Sequence, residues 1–213
     1  MNRIAIIGAG AMGRQIAYHV KGAVGEFEVV GFYDDSADLQ GDVLGRTKEV
    51  ESDFAAGKFD CVSLGLGYNV SAFRGEMLSQ MIGKVPLATI VSKDALVDGS
   101  AYVDEGCTIL KGTIVDQGVK IGPNCFMSLG CSVSHETVIG ANVYFSPRVT
   151  VCGNCRIGRG VFLGAGCVVR DGVSICDGAV IGCGAVVVKD ITTEAVYAGN
   201  PARMLRGIDA KRI

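Results

Sequence analysis

Two histidines occur in the 213 residues, and one of them stands beside a carboxylate. His135-Glu136 interrupts the stretch Val133-Ser134-His135-Glu136-Thr137-Val138. A neutral imidazole next to an acid suits a general base working near pH 7. It takes a proton from an amine or hydroxyl as that group attacks, while the acid raises imidazole basicity and fixes its tautomer. Adjacent strand residues point to opposite faces, so the pair bonds directly only if a corner turns between them. The competing reading is a histidine on a solvated corner. His19 falls in a helical stretch and reads as an ordinary surface or boundary residue.

A second constellation lies at the front. Gly8-Ala9-Gly10-Ala11-Met12-Gly13 follows an apolar run and opens a helix, and Asp34 comes about twenty residues on. Backbone N–H groups of such a loop, together with a helix N-terminus, favour a diphosphate. NAD binding is one reading. Against it, residues 1–88 have room for one mononucleotide half, and no hydride-transfer domain remains in the chain. A purely structural role is the alternative, in which Gly10 and Gly13 permit close helix–strand packing. The nine cysteines are an odd number, and no secretion signal is evident, which argues against a disulfide framework. Cys152 and Cys155 read C-x-x-C, but no second pair and no histidine cluster completes a metal site. Cys152, Cys176 or Cys183 as thiolate nucleophile lacks a second histidine to activate it.

The elements that must position these residues fall into two organisations. Over residues 1–88, apolar strands alternate with amphipathic stretches: strands at 3–7, 27–32 and 61–66, helices at 14–20 and 70–82. That alternation predicts a parallel sheet with crossover helices. From about residue 89 the period becomes six. Every sixth residue from Val91 to Val187 is apolar, seventeen in all, a run that chance gives on the order of once in a hundred thousand. Four residues beyond each, from Ala95 to Ala185, the column holds only Ala, Cys, Thr and Val. Glycine clusters one residue after the large position (Gly122, Gly140, Gly158, Gly164, Gly182) and three after it (Gly106, Gly118, Gly130, Gly160, Gly166, Gly172, Gly178, Gly184). Six residues suit one short strand and one corner, so the expectation is a parallel β-helix with the large column stacked inward and glycine at tight corners. Cys107, Cys125, Cys131, Cys155 and Cys167 sit in the small column and read as compact core residues. The register runs without insertion.

Composition narrows the classes further. A hydrophobic content of 49% supports a core, and a formal charge of −2 disfavours nucleic acid as partner. No apolar run approaches the roughly 20 residues of a membrane helix, so no membrane role and a cytoplasmic location are expected.

Taken together these motifs resemble the hexapeptide-repeat acyltransferases, and the closing Gly199-Asn200-Pro201-Ala202-Arg203 resembles their G-x-P-A-[KR] exit segment. With the front motif included, residues 1–205 look like the sialic acid O-acetyltransferase and nucleotide-amino-sugar N-acetyltransferase group, which includes the UDP-4-amino-sugar acetyltransferase of bacillosamine synthesis. The resemblance implies an α/β Rossmann-like mononucleotide domain over residues 1–88, an all-β left-handed parallel β-helix over 89–190 and a C-terminal tail over 191–213. It implies an acetyl-CoA-dependent N-acetyltransferase acting on a nucleotide-linked amino sugar of the 4-amino-4,6-dideoxy type, by direct transfer with no metal. The alternatives are O-acetylation of sialic acid or a related sugar, an NAD-binding oxidoreductase, and a non-catalytic nucleotide-sugar-binding scaffold. By position, His135 and Glu136 match the catalytic H-[DE] pair, and Gly8, Ala9, Gly10, Asp34, Asp35 and Gly67 match the nucleotide-sugar site. Tyr144, Gly164, Ala165, Gly182 and Cys183 match acetyl-CoA contacts. Two of these depart from the pattern: Tyr144 stands where the amino-sugar branch often has a second histidine, and Cys183 interrupts an I-G-G-G run. The resemblance also implies a homotrimer with active sites between subunits. Outward residues Phe126, Tyr144, Pro147 and Arg148 are candidates for its interface, with the Gly164-Ala165 turn near the boundary.

Overall fold

A computed structural model describes residues 1–25, 27–36, 41–68 and 71–208. The chain divides into two compact units, Met1–Ser92 and Lys93–Ile213.

The first unit is a small parallel α/β sheet. Its elements are β1 (Asn2–Ile7), α1 (Ala11–Val20), β2 (Phe27–Tyr33), β3 (Val43–Gly45), a 3-10 turn (Thr47–Glu49), α2 (Val50–Ala55), β4 (Cys61–Leu64) and α3 (Ser71–Met81). The strand order is β3-β2-β1-β4, all parallel. Ile4, Ala5, Ile6 and Ile7 are buried without alternation, as in a strand covered on both faces. On α1, Gly13, Ile16 and Val20 turn inward at helical spacing. The expected strand at 61–66 stops at Leu64; beyond it Gly65 and Leu66 pack against Gly8 of the front loop. The expected helix at 70–82 is found as α3; Val70 lies outside the described residues. β3 and α2 carry no clear periodicity and were not foreseen.

The second unit is a parallel β-solenoid built from two-residue strands. Face A holds Leu96–Val97, Ile114–Val115, Ser132–Val133, Thr150–Val151, Val168–Val169 and Val186–Val187. Face B holds Tyr102–Val103, Lys120–Ile121, Val138–Ile139, Arg156–Ile157 and Ser174–Ile175. Face C holds Thr108–Ile109, Phe126–Met127, Tyr144–Phe145, Phe162–Leu163 and Val180–Ile181. Each strand pairs in register with the strand 18 residues on, so one coil is three hexapeptides. Beyond residue 190, Ala195–Ala198 adds to face C beside Val180–Ile181, and Arg203–Gly207 folds back antiparallel on it.

The two columns behave as interior positions. From Ile109 to Val187 the large column is buried throughout, whereas Val97 and Val103, in the first coil, are half-buried. All nine glycines that stand three residues after the large position, Gly112 among them, have positive φ, between 64° and 75°. A β-carbon disfavours this left-handed conformation. Where glycine is missing the position takes Asn124, Asn142 and Asn154, and also Glu136 and Arg148. The small column carries a further device. Cys107, Cys125, Cys131 and Cys155 donate S–H, and Thr113 and Thr137 donate O–H, each to a carbonyl 15 residues on, in the next coil. Small size admits the residue, and its one polar atom satisfies a corner carbonyl that the ladder leaves unpaired.

Candidate active site

His135 lies on the corner between faces A and B. The 18-residue coil places Gln117, His135, Gly153 and Asp171 at the same corner position in four successive coils. His135 is half-buried, its carbonyl accepting the Asn154 N–H at 2.9 Å. Thr137 beneath it is fully buried; it donates to the Cys152 carbonyl at 3.0 Å and accepts the Cys155 N–H at 3.2 Å, so the corner is pinned to the next coil. The imidazole leans over Gly153: a β-carbon there would lie 2.6 Å from His135 Nε2 and 2.9 Å from Asp171 Oδ1. Glu136 goes the other way. Its N–H donates to the Gln117 carbonyl at 3.1 Å, its φ is +56°, and its carboxylate covers Gly118 in the preceding coil. The corner does turn between the two residues, but it sends their side chains to opposite neighbouring coils and leaves no hydrogen bond between them. Asp171 was not foreseen; its place two 18-residue coils beyond His135 was the signal that would have found it.

The residues expected to hold acetyl-CoA gather on face C and on the corner from C to A. Tyr144 is half-buried in an aromatic ladder, its ring stacked 5.0 Å from Phe126 and 5.6 Å from Phe162. Phe126, expected on the outer surface, is 2% exposed. Gly164 is buried because the next coil crosses close above it: a β-carbon would lie 2.6 Å from the Cys183 nitrogen and 2.7 Å from the Gly182 carbonyl carbon. The Ala165 carbonyl accepts the Gly184 N–H at 2.8 Å, and the Gly182 N–H donates to Tyr197 at 2.7 Å. Cys183 is exposed at the tip. This corner is not the corner of His135, so the fold of one chain groups the two sets separately.

In the first unit, the loop after β1 is held by its own aspartate. Asp34 Oδ2 accepts the Ala9 N–H at 2.8 Å and Oδ1 accepts the Ser36 N–H at 2.9 Å. Gly8, at φ +102°, donates to the Tyr33 carbonyl at 2.7 Å. Gly10 caps α1 and is exposed, with open space where a side chain would begin. A β-carbon on Gly13 would run into the Gly8 carbonyl, and one on Gly65 would lie 2.5 Å from Gly13 Cα. Three glycines therefore let the helix, the loop and the end of β4 meet through backbone; Gly65 was not foreseen, though the Gly65-x-Gly67 spacing carried the hint. Asp35 binds Thr47, accepting from its N–H at 3.0 Å and its hydroxyl at 2.6 Å. Gly8, Tyr33, Asp34, Asp35, Thr47, Leu66 and Phe73 line a cavity of about 340 Å³, which Gly67 adjoins in sequence. Beside it the Tyr33 hydroxyl donates to Asp53 Oδ2 at 2.7 Å; Lys58 and then Tyr33 hold the Asp53 carboxyl below its usual range.

All nine cysteines are free thiols. Burial pushes Cys131 up to about 11 and Cys167 up to about 12. Among the described residues no group of three His, Cys, Asp or Glu is placed to hold a metal ion. No helix among them is long and apolar enough to cross a membrane.

Comparison with known proteins agrees with this architecture. The family model of the bacterial transferase hexapeptide (six repeats) matches residues 136–171 and 154–189. The match falls within the second unit and agrees with its six-residue period. Over 96% of its length, both units included, the chain is similar to the acetyltransferase domain of PglB from Neisseria gonorrhoeae, at 28% identity and a TM-score of 0.85, covering 100% of that domain. The same domain in complex with acetyl coenzyme A matches at 27% identity, a TM-score of 0.85 and 99% coverage. PerB from Caulobacter crescentus, solved with CoA and GDP-perosamine, shares the fold at 22% identity and a TM-score of 0.86, with 96% of this chain and 98% of that chain covered. No curated protein matches the sequence.

Proposed function

We propose that the chain is an acetyl-CoA-dependent N-acetyltransferase acting on a nucleotide-linked amino sugar, with His135 as general base. The observation that carries this reading is the similarity over both units, at 28% identity, to an acetyltransferase domain. A likeness confined to the repeat would speak only for a solenoid. In this reading the sugar amine attacks the thioester carbonyl, His135 accepts the proton released by nitrogen, and the C–S bond breaks to free CoA. No covalent enzyme intermediate is needed, and backbone N–H groups stabilise the developing oxyanion.

The first unit then receives the nucleotide-sugar. Its strand order and glycine turn after β1 fit a Rossmann-like mononucleotide half. The cavity lies at the carboxyl ends of strands, where open parallel sheets take ligands. Asp34 shapes the loop that meets the diphosphate, Asp35 and Thr47 form the far wall, and Gly8, Ala9, Gly10 and Gly67 supply backbone. The solenoid is read as left-handed and trimeric, with Tyr144, Gly164, Ala165, Gly182 and Cys183 as the acetyl-CoA side of a cleft whose base comes from a neighbouring subunit. The separation of these residues from His135 within one chain favours that arrangement.

The test is CoA release with UDP-, dTDP- and GDP-linked amino sugars. Turnover of at least one is expected, and His135→Ala lowers it by about a hundredfold or more with folding intact. Acetylation of free sialic acid with no turnover of any amino sugar would move the chain to the O-acetyltransferase branch.

A further inference from the structure

We propose that Asp171, not Glu136, is the carboxylate that positions the His135 imidazole; this rests on the reading of His135 as the base. The geometry centres on Gly153. Its φ lies outside the left-handed region, so its backbone does not require glycine. What occupies the space a side chain would take is the ends of two other side chains. A β-carbon at this position would come within 2.6 Å of His135 Cε1 and Nε2 and 2.9 Å of Asp171 Oδ1. The ring descends from the coil on one side and the carboxylate rises from the coil on the other, and they converge over one backbone atom. Gly153 is buried although it has no side chain and sits on an outer corner, while Asp171 itself is exposed. Glu136 occupies the left-handed position of its corner, and its carboxylate covers Gly118, one coil away on the opposite side. To reach the imidazole it would have to leave that position and cross the corner.

The ring nitrogen that crowds the Gly153 position, where Asp171 Oδ1 also lies, is Nε2. Donation of the Nε2–H to Asp171 Oδ1 leaves the Nδ1 lone pair free. When the amine attacks the thioester, the N–C bond forms, the C–S electron pair leaves with CoA, and the amine proton passes to Nδ1. The imidazolium, now protonated on both nitrogens, is held by the Asp171 carboxylate until Nδ1 releases its proton to the thiolate or to water. Hydrogen bonds of this kind commonly tighten only when the substrate is bound. Asp171 acts through His135 and does not touch substrate, which makes it a positioning residue.

The experiment uses the full chain in a His19→Gln background, which leaves one imidazole, with ring nitrogens labelled with nitrogen-15. The parent is expected to show the Nε2–H tautomer. Asp171→Asn shifts the ring pattern away from it, whereas Glu136→Gln leaves it in place. Gly153→Ala, which drives a methyl between ring and carboxylate, shifts the pattern in the same direction as Asp171→Asn. In the acetyl-transfer assay Asp171→Asn lowers kcat by about tenfold or more and leaves KM for the sugar nucleotide within about twofold. An unchanged ring pattern in Asp171→Asn, or one moved only by Glu136→Gln, overturns the proposal. The NMR readout does not depend on turnover. A parent protein with the expected tautomer and no acetyl transfer would overturn the enzymatic reading and leave the Asp171 contact standing.

Discussion

At Gly13 the absence of a side chain is a geometric requirement. Its Cα faces the Gly8 carbonyl and the end of β4, and no rotamer relieves a clash that begins at the β-carbon. Gly13→Ala should therefore destabilise the first unit by about 1–3 kcal/mol, as overpacking does, and widen the loop that Asp34 ties through Ala9. Differential scanning calorimetry with nucleotide-sugar titration checks both; an unchanged melting temperature and affinity would show that the loop has slack. The cysteines make a second residue-scale case. Burial disfavours the thiolate, so Cys131 and Cys167, raised to about 11 and about 12, stay protonated at pH 8. A thiol reagent added to native protein at that pH should label exposed Cys183 first, half-buried Cys152 and Cys176 more slowly, and the six buried thiols only on unfolding. Peptide mass spectrometry reads the order. Fast labelling of Cys131 or Cys167 in folded protein would contradict the packing.

At the scale of the element, a coil is held to its neighbour by more than the ladder of two-residue strands. The O–H and S–H donors of the small column reach the next coil at a point where a corner carbonyl would otherwise be buried without a partner. Thr113→Val keeps the shape and removes the donor to Ser128. The expected loss is about 1–3 kcal/mol, the penalty of an unsatisfied buried acceptor, read as a lower midpoint in urea unfolding with unchanged slope. A neutral result would mean that another donor serves that carbonyl. The same scale shows what the sequence could convey. A period of six identifies the inward columns and the glycine corners, because each hexapeptide meets the same local sterics. It does not say which of three corners a residue occupies. That depends on the 18-residue coil, and only at that period do His135, Gly153 and Asp171 fall into line. The small column was legible as small, but its hydrogen bonds were not, since a partner 15 residues away, on the same corner of the next coil, falls outside the six-residue period. β3 and α2 escaped notice because elements of three and six residues are too short for periodicity to register; their place comes from pairing with β2 and packing beside Tyr33.

For the whole molecule, the decisive point is the distance along the coil between the His135 corner and the Ala165 corner. They bound face A from opposite ends, and every coil repeats that separation. Acetyl transfer needs the amine, the thioester and the base in one water-poor cleft. The proposed trimer supplies it by setting the A–B corner of one chain against the C–A corner of the next, and cyclic closure satisfies all three clefts at once. Light scattering should then give a particle of about three times the 22.1 kDa chain. Mixing is the sharper test. His135→Ala removes the base and leaves the Ala165 corner intact; Ala165→Trp blocks the corner and leaves the base. Each homotrimer is inactive. Co-refolded in equal amounts, the two chains distribute at random, and a cleft works when a parental base meets a parental corner, giving about one quarter of the parental activity if each cleft draws on two chains. If both halves came from one chain, no mixed particle would hold an intact cleft and activity would stay at the background of the single variants. Recovery near one quarter, absent when preformed trimers are combined without refolding, places each active site across a subunit boundary.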